Sequence, residues 1–133
     1  MNEKISLDKI DLKDQLEGIL LGYSRDLQEE VNDIVKEVAK EGAKKLRARS
    51  PKKSGNYAKG WTVHTSTKND SRQFKTTTAT IHNKSKPTLT HLLENGHLKR
   101  DGSKVQGQPH IEPTAREVEE ELLKKVEEAI RKH

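Results

Sequence analysis

The 133-residue chain predicts an α+β domain: an antiparallel β-sheet packed against a long N-terminal helix and a C-terminal helix, with a short helix between them. Three observations predict it. Apolar residues recur every three or four positions near both ends of the chain, the pattern of helices with one buried face. Between them lies GNYAKGWTVHTSTKNDSRQFKTTTATIHNKS, rich in threonine, aromatic and β-branched residues around a polar centre, which reads as a strand hairpin. A third, shorter run, KPTLTHLLENGH, closes on Asn-Gly, the signature of a helix with a stop.

The first helical pattern begins at Leu12 and continues to Leu46. Unbroken from Leu12 to Ala48 it would run about 55 Å, whereas a compact chain of this size has a radius of gyration of about 14 Å. A break is therefore expected. Gly18 and Gly22 weaken the early part, Ser24 offers a cap for a fresh start, and Pro51 forces an end. Residues 1–11 precede this pattern and are a candidate disordered lead. In the hairpin, Trp61, Val63 and Thr65 share one face of the first strand, and Ala79 and Ile81 share one face of the second. Neither strand is apolar enough for a sealed centre, so one face is expected on the helices and the other wet or covered by a neighbour.

The short helix takes Thr88 or Thr90 as its cap, Leu92 and Leu93 as its anchors, and a left-handed stop at Asn95-Gly96. A loop follows, with room for one short strand near Val105. The last helix starts from a capping box of Thr114 with Glu117 and buries the stripe Ala115, Val118, Leu122, Val126 and Ile130.

Length supports a single domain over residues 1–133. Hydrophobic residues make up 29% of the chain and charged residues 35%, which implies a small core that completes its burial in an assembly. Cysteine is absent, so disulfides and thiolate metal sites are excluded, and the chain suits a reducing cytosol. The amino terminus lacks a signal-peptide apolar run, and no stretch approaches a membrane span, so a soluble, unsecreted protein is expected. The net charge of +5 is uneven: Lys44 to Lys59 holds only positive charge, whereas Glu117 to Glu128 is rich in acid. That asymmetry suits nucleic acid nearby, or head-to-tail contact between identical subunits.

Two stretches carry candidate chemistry. In HLLENGH, His91 and Glu94 share a helical face and His97 and His110 follow, as a zinc hydrolase would require. Neither HExxH nor its inverse is present, and the plain reading is a structural helix; no metal or cofactor site is predicted. In KKLRARSPKKSGNYAKGW, Lys52, Lys53 and Lys59 lie beside Tyr57 and Trp61, the mixture of cations and rings that single-stranded nucleic-acid sites use. The plain reading is a solvated helix end and a loop. SPKKSG lacks the phosphate-loop order, and no serine sits in a nucleophile motif.

The order of these motifs is more specific than any one of them. A long amphipathic helix, then SPKKSGNYAKGW, LTHLLENGH and GQPHIEPT before an acidic helix, resembles the HK-ninety-seven gene-product-ten family of tailed-bacteriophage neck proteins, the head-tail joining or tail-completion proteins. The resemblance runs from about Leu12 onward. It is carried by Ser50, Pro51, Ser54, Gly55, Tyr57 and Trp61, then His91, Leu92, Leu93, Glu94, Gly96 and His97, then Pro109, His110, Ile111 and Pro113. Ser54 stands where threonine is common in the family. The resemblance implies a non-enzymatic virion component of a phage or prophage, made in the host cytoplasm and built as a homo-oligomeric ring at the head-tail interface. Its implied partners are the head connector on one side and tail-tube or terminator proteins on the other, with DNA a candidate in the lumen and no membrane. An isolated subunit is expected as a folded monomer or weak oligomer, and HLLENGH becomes a structural signature.

Overall fold

The computed structural model describes residues 9–12, 24–52, 55–69 and 75–132. The bends expected at Gly18 and Gly22, the side chains of Lys53 and Ser54, and the hairpin centre lie outside these residues. The first described helix, α1 (Arg25–Arg49), starts where Ser24 accepts the Leu27 N–H on its hydroxyl at 3.3 Å. It stops at Ser50, which turns extended ahead of Pro51. Its stripe of Leu27, Val31, Val35, Val38 and Leu46 is buried, as the helical period requires.

After α1 come a single-turn helix α2 (Asn56–Lys59) and the hairpin strands β2 (Trp61–Asn69) and β3 (Lys75–Asn83), paired antiparallel from Trp61↔Asn83 to Asn69↔Lys75. A further strand, β1 (Lys9–Leu12), pairs antiparallel with β3, giving the order β1-β3-β2. This corrects the disordered-lead reading at Lys9, Ile10 and Asp11, and the reading of Leu12 as the start of a helix; residues 1–8 of that lead lie outside the described residues. Lys-Ile-Asp-Leu alternates: Ile10 and Leu12 are buried while Lys9 and Asp11 are exposed, a strand pattern that the longer helical period downstream had absorbed.

The sheet divides as its composition implied. Trp61, Ala79 and Ile81 join Ile10 and Leu12 beneath the helices. The opposite face carries Thr62, His64, Ser66, Thr78, Thr80 and His82, all exposed or half-buried. The C-terminal helix α4 (Ile111–Lys132) lies beside α1 on the apolar face, running the other way. Arg49 meets Thr114 and Glu117, Lys45 lies against Glu117 and Glu121, and Lys125 reaches back to Glu37. The layers approach closely at Gly42, where a Cβ would overlap Ile81 and Val118.

Between sheet and α4, a 3₁₀ turn (Pro87–Leu89) leads into α3 (Thr90–Asn95), and β4 (Gly96–Leu98) pairs with β5 (Lys104–Gln106) in a second, small sheet. The strand expected near Val105 is thus present, with an unforeseen partner. No side chain caps α3; the Thr90 hydroxyl instead donates to Pro87 O at 3.1 Å. Gly96 has positive φ but an extended ψ of 175°, so the helix ends by entering a strand and not in the left-handed helical well.

One side chain completes the main sheet. Where β1 ends, β3 has no strand beside it among the described residues, and Asn32 of α1 takes that place. Its Nδ2 donates to Lys75 O at 2.8 Å, and its Oδ1 accepts the Thr77 N–H at 3.1 Å. Asn32→Ala leaves a buried amide unpaired and is expected to destabilise the fold by about 1–3 kcal/mol. The measurement is urea unfolding, with amide exchange at Thr77 rising before exchange at Ile81.

Candidate functional site

The residues singled out in the sequence converge on one buried junction at the end of α1. Ser50 anchors it. Its hydroxyl donates to Leu46 O, tightening the last turn, and accepts the Trp61 indole N–H at 2.8 Å. Arg47 Nε donates to Trp61 O at 3.1 Å, so α1 holds this residue by side chain and backbone. Gly55, at φ 81°, turns the chain into α2 and drives Tyr57 into the core. Asn83 at the end of β3 donates to Tyr57 O at 2.7 Å and accepts the Ser85 and Lys86 N–H groups.

Tyr57, Trp61 and His110 pack edge to face, with centroid separations of 5.6–6.4 Å. The Tyr57 hydroxyl lies 2.8 Å from His110 Nε2, and His110 Nδ1 lies 2.7 Å from Gln108 O. A phenol donating to Nε2 and an Nδ1–H donating to the Gln108 carbonyl, with Glu94 Oε1 also 3.0 Å from Nδ1, satisfy these contacts; this tautomer follows from the network. Burial, with the Glu94 charge second, pushes the Tyr57 phenol well above its ordinary range, so it stays a donor.

Glu94 closes the junction. Its side chain is 4% exposed, and its carboxylate accepts three backbone N–H groups: His110 and Ile111 on Oε1, both at 2.8 Å, and Glu112 on Oε2 at 3.0 Å. These are the unsatisfied donors at the start of α4, and the next residue, Pro113, has no N–H to satisfy. One side chain from α3 therefore completes the first turn of α4, where the helix dipole also favours negative charge. The expected capping box is corrected accordingly. The helix starts three residues before Thr114, and both supposed box residues serve Arg49, which donates to Thr114 Oγ1 and pairs with Glu117.

Gly96 and Gly107 let this corner close. A Cβ on Gly96 would overlap Val105 O and Gly107 N, and one on Gly107 would overlap the backbone of Glu94 to Gly96. The Gln108 N–H donates to Leu93 O at 2.8 Å, fastening the loop before α4 to the end of α3.

The structure separates the other sequence candidates. Both Glu94 oxygens are engaged by amides, while His91 and His97 are exposed on α3 and β4. No three His, Cys, Asp or Glu side chains among the described residues gather to hold a metal. Leu93 packs against the core as expected, but Leu92 is 42% exposed, so the inward face of α3 is formed by Thr90 and Glu94 with Leu93 beside them. Lys52 and Lys59 are exposed, as a partner contact needs. Tyr57 and Trp61 are buried and present no ring face for a base, which corrects the aromatic half of the nucleic-acid pattern. Pro109 and Pro113 are exposed and flank His110. Sequence reasoning missed Asn83 and Gln108; an asparagine ending an apolar strand face was the available signal for the first.

Fold and junction together define an α+β domain with two antiparallel helices on one face of a three-stranded sheet and a buried polar clasp at one end. Over residues 12–96 the chain matches the family described as "Bacteriophage HK97-gp10, putative tail-component", and it belongs to that family. Membership associates it with the phage virion and with other phage structural proteins. A search of curated proteins and a search of solved structures each returned no match. The matched stretch contains the capping carboxylate Glu94 and ends before the helix that Glu94 caps. No described helix is long and apolar enough to cross a membrane.

Glu94→Ala orphans three helix-start amides, two of them buried, and is expected to destabilise the fold by about 2–4 kcal/mol. Glu94→Gln, which keeps one acceptor oxygen, should lose roughly half as much. Urea unfolding checks both, and equal stability of Glu94→Ala and wild type would contradict the capping role. Tyr57 adds a pH dependence. Its phenol is held protonated in the fold, so its contribution is complete below the ordinary phenol range near about 10 and is lost as pH rises above it. Tyr57→Phe should lower stability by about 1 kcal/mol at neutral pH. The gap between the two proteins should then change only on the alkaline side, read as Tm against pH.

Proposed function

We propose that the chain is a structural assembly protein of a tailed phage or prophage, a ring subunit of the neck that joins head to tail, without catalytic activity. The observation that carries this reading is the fate of the signature residues. Ser50, Tyr57, Trp61, Glu94 and His110 are all buried, and each polar group they contribute is engaged by another part of the same junction. Among the described residues no buried side-chain polar atom lacks a partner. Catalytic groups need a proton or an electron pair to offer a substrate, whereas these groups hold two helices and a sheet end together. What is left for partners is surface: the wet sheet face, the small hairpin with Leu98 72% exposed, and a basic corner.

That corner is built by the same junction. Asn83 gathers Tyr57, Ser85 and Lys86, and Lys84 N bonds to Gly60 O, so the exposed Lys59, Lys84 and Lys86 meet at one end of the sheet. Cations in such a corner fit an acidic neighbour in the neck or DNA phosphate in a lumen. Lysates of phage carrying Lys59→Glu with Lys84→Glu and Lys86→Glu are expected to contain free tails and unjoined heads, counted by electron microscopy, while the purified variant keeps the wild-type Tm. Normal virions from that phage would remove the corner from the interface. Joined particles after deletion of the whole gene would overturn the neck assignment.

A further inference from the structure

The nine-residue strand β2 lies at an edge of the sheet, and the hydrogen-bond pattern identifies its unused amides. Lys84 N donates to Gly60 O, which puts Gly60, Thr62, His64, Ser66 and Lys68 at the positions bonded to β3. Trp61, Val63, Thr65 and Thr67 therefore turn their N–H and C=O groups to the other side. Arg47 takes the Trp61 carbonyl there, and among the described residues no strand bonds to the remaining three.

The opposite edge follows by the same reasoning. Asn32 bonds Thr77 N and Lys75 O, so the odd-numbered residues of β3 face the β1 side. Ile10 and Leu12 then bond to Ile81 and Ala79, and the backbone of Lys9 and Asp11 turns outward.

A protein that remains a monomer usually protects a strand edge with charge, proline or a bulge. β2 lacks these over most of its length. In a chain with 35% charged residues, Trp61 to Thr67 contains no Lys, Arg, Asp, Glu or Pro, and the pairing with β3 runs without interruption. Thr65 and Thr67 project from the helix-covered face yet are exposed, so the strand overhangs the core and has room beside it.

We infer that β2 of one copy receives β1 of a second copy of this chain, extending the sheet from subunit to subunit. Both β1 and β2 run antiparallel to β3, so they run parallel to each other. A copy related by rotation about an axis along the strands presents its β1 in that same direction. Joining the two unlike edges uses both and leaves none open once the ring closes, whereas β2 against β2 would end at a pair and leave both β1 edges unpaired. This deepens the ring-subunit reading and rests on it for the identity of the neighbour.

The test uses the full chain in sedimentation equilibrium up to millimolar concentration. Thr65→Pro removes an outward N–H that no strand among the described residues accepts, and Asp11→Pro does the same at the other edge. Far-UV circular dichroism and Tm establish that each variant is folded, and Thr65→Lys blocks the β2 edge by charge should either proline variant fail to fold. Wild type is expected to associate beyond a dimer, each variant alone to stay monomeric, and a mixture of Thr65→Pro with Asp11→Pro to form a one-to-one dimer through the intact edge of each. Monomeric wild type, or Thr65→Pro and Thr65→Lys associating as wild type does, would overturn the edge contact. Self-association by Asp11→Pro alone would overturn its head-to-tail sense. None of these outcomes touches the neck assignment, which is judged by joined particles after gene deletion.

Discussion

The buried carboxylate of Glu94 is the constraint on which the C-terminal half of the structure depends. A helix start inside a protein presents amide donors that must find acceptors. α4 meets that requirement with a group sixteen to eighteen residues earlier in the chain, so the cap is also a tertiary tie. Burying a charge is unfavourable unless it is well partnered. Three amides and the helix dipole are the compensation, and all exist only when α3 and α4 are docked. The segment between them is consequently held at both ends: Gln108 bonds back to Leu93, and the glycines at 96 and 107 let the strands meet at the base of the small hairpin.

The junction links that tie to the rest of the fold through His110. Its backbone N–H belongs to the Glu94 cap, and its ring belongs to the Tyr57 and Trp61 cluster. Trp61 in turn is bonded to Ser50 at the end of α1. Loosening the cap therefore acts on α1 and the start of the hairpin as well as on α4. Such a network is rigid when every member is satisfied and is a poor place for chemistry for the same reason.

Much of the fold was legible because it rests on periodicity. α1, the β2-β3 hairpin, α3 and α4 each leave a local pattern of apolar spacing or turn residues. The misses share a cause: the deciding partner is far away in sequence. Thr114 and Glu117 make a locally valid capping box, but the helix starts earlier because Glu94 supplies a cap that no local pattern contains and because Pro113 tolerates the first turn. Leu92 looked like an anchor of α3, yet tertiary demand turned Thr90 and Glu94 inward instead. β1 is only four residues long, too short for its alternation to stand out ahead of a long helical pattern. The site residues were visible as a constellation, and their roles were not, since a histidine beside a glutamate reads alike for a metal ligand and a helix cap.

The distribution of polar groups explains how so charged a chain can fold and still have surface to offer. The apolar residues suffice for one layer of contact, helices against one sheet face, and most of the polar side chains that are buried gather at one end where they satisfy one another, with Asn32 pairing to the start of β3 at the other. That concentration leaves the long edge of β2 and the outer sheet face free of structural duty. An edge strand without charge is a liability for a solitary protein and an asset for one that repeats. The same economy that makes the core small thus leaves, among the described residues, backbone groups without strand partners on opposite sides of the sheet, and a neighbour placed by rotation would complete both sides without adding a single residue.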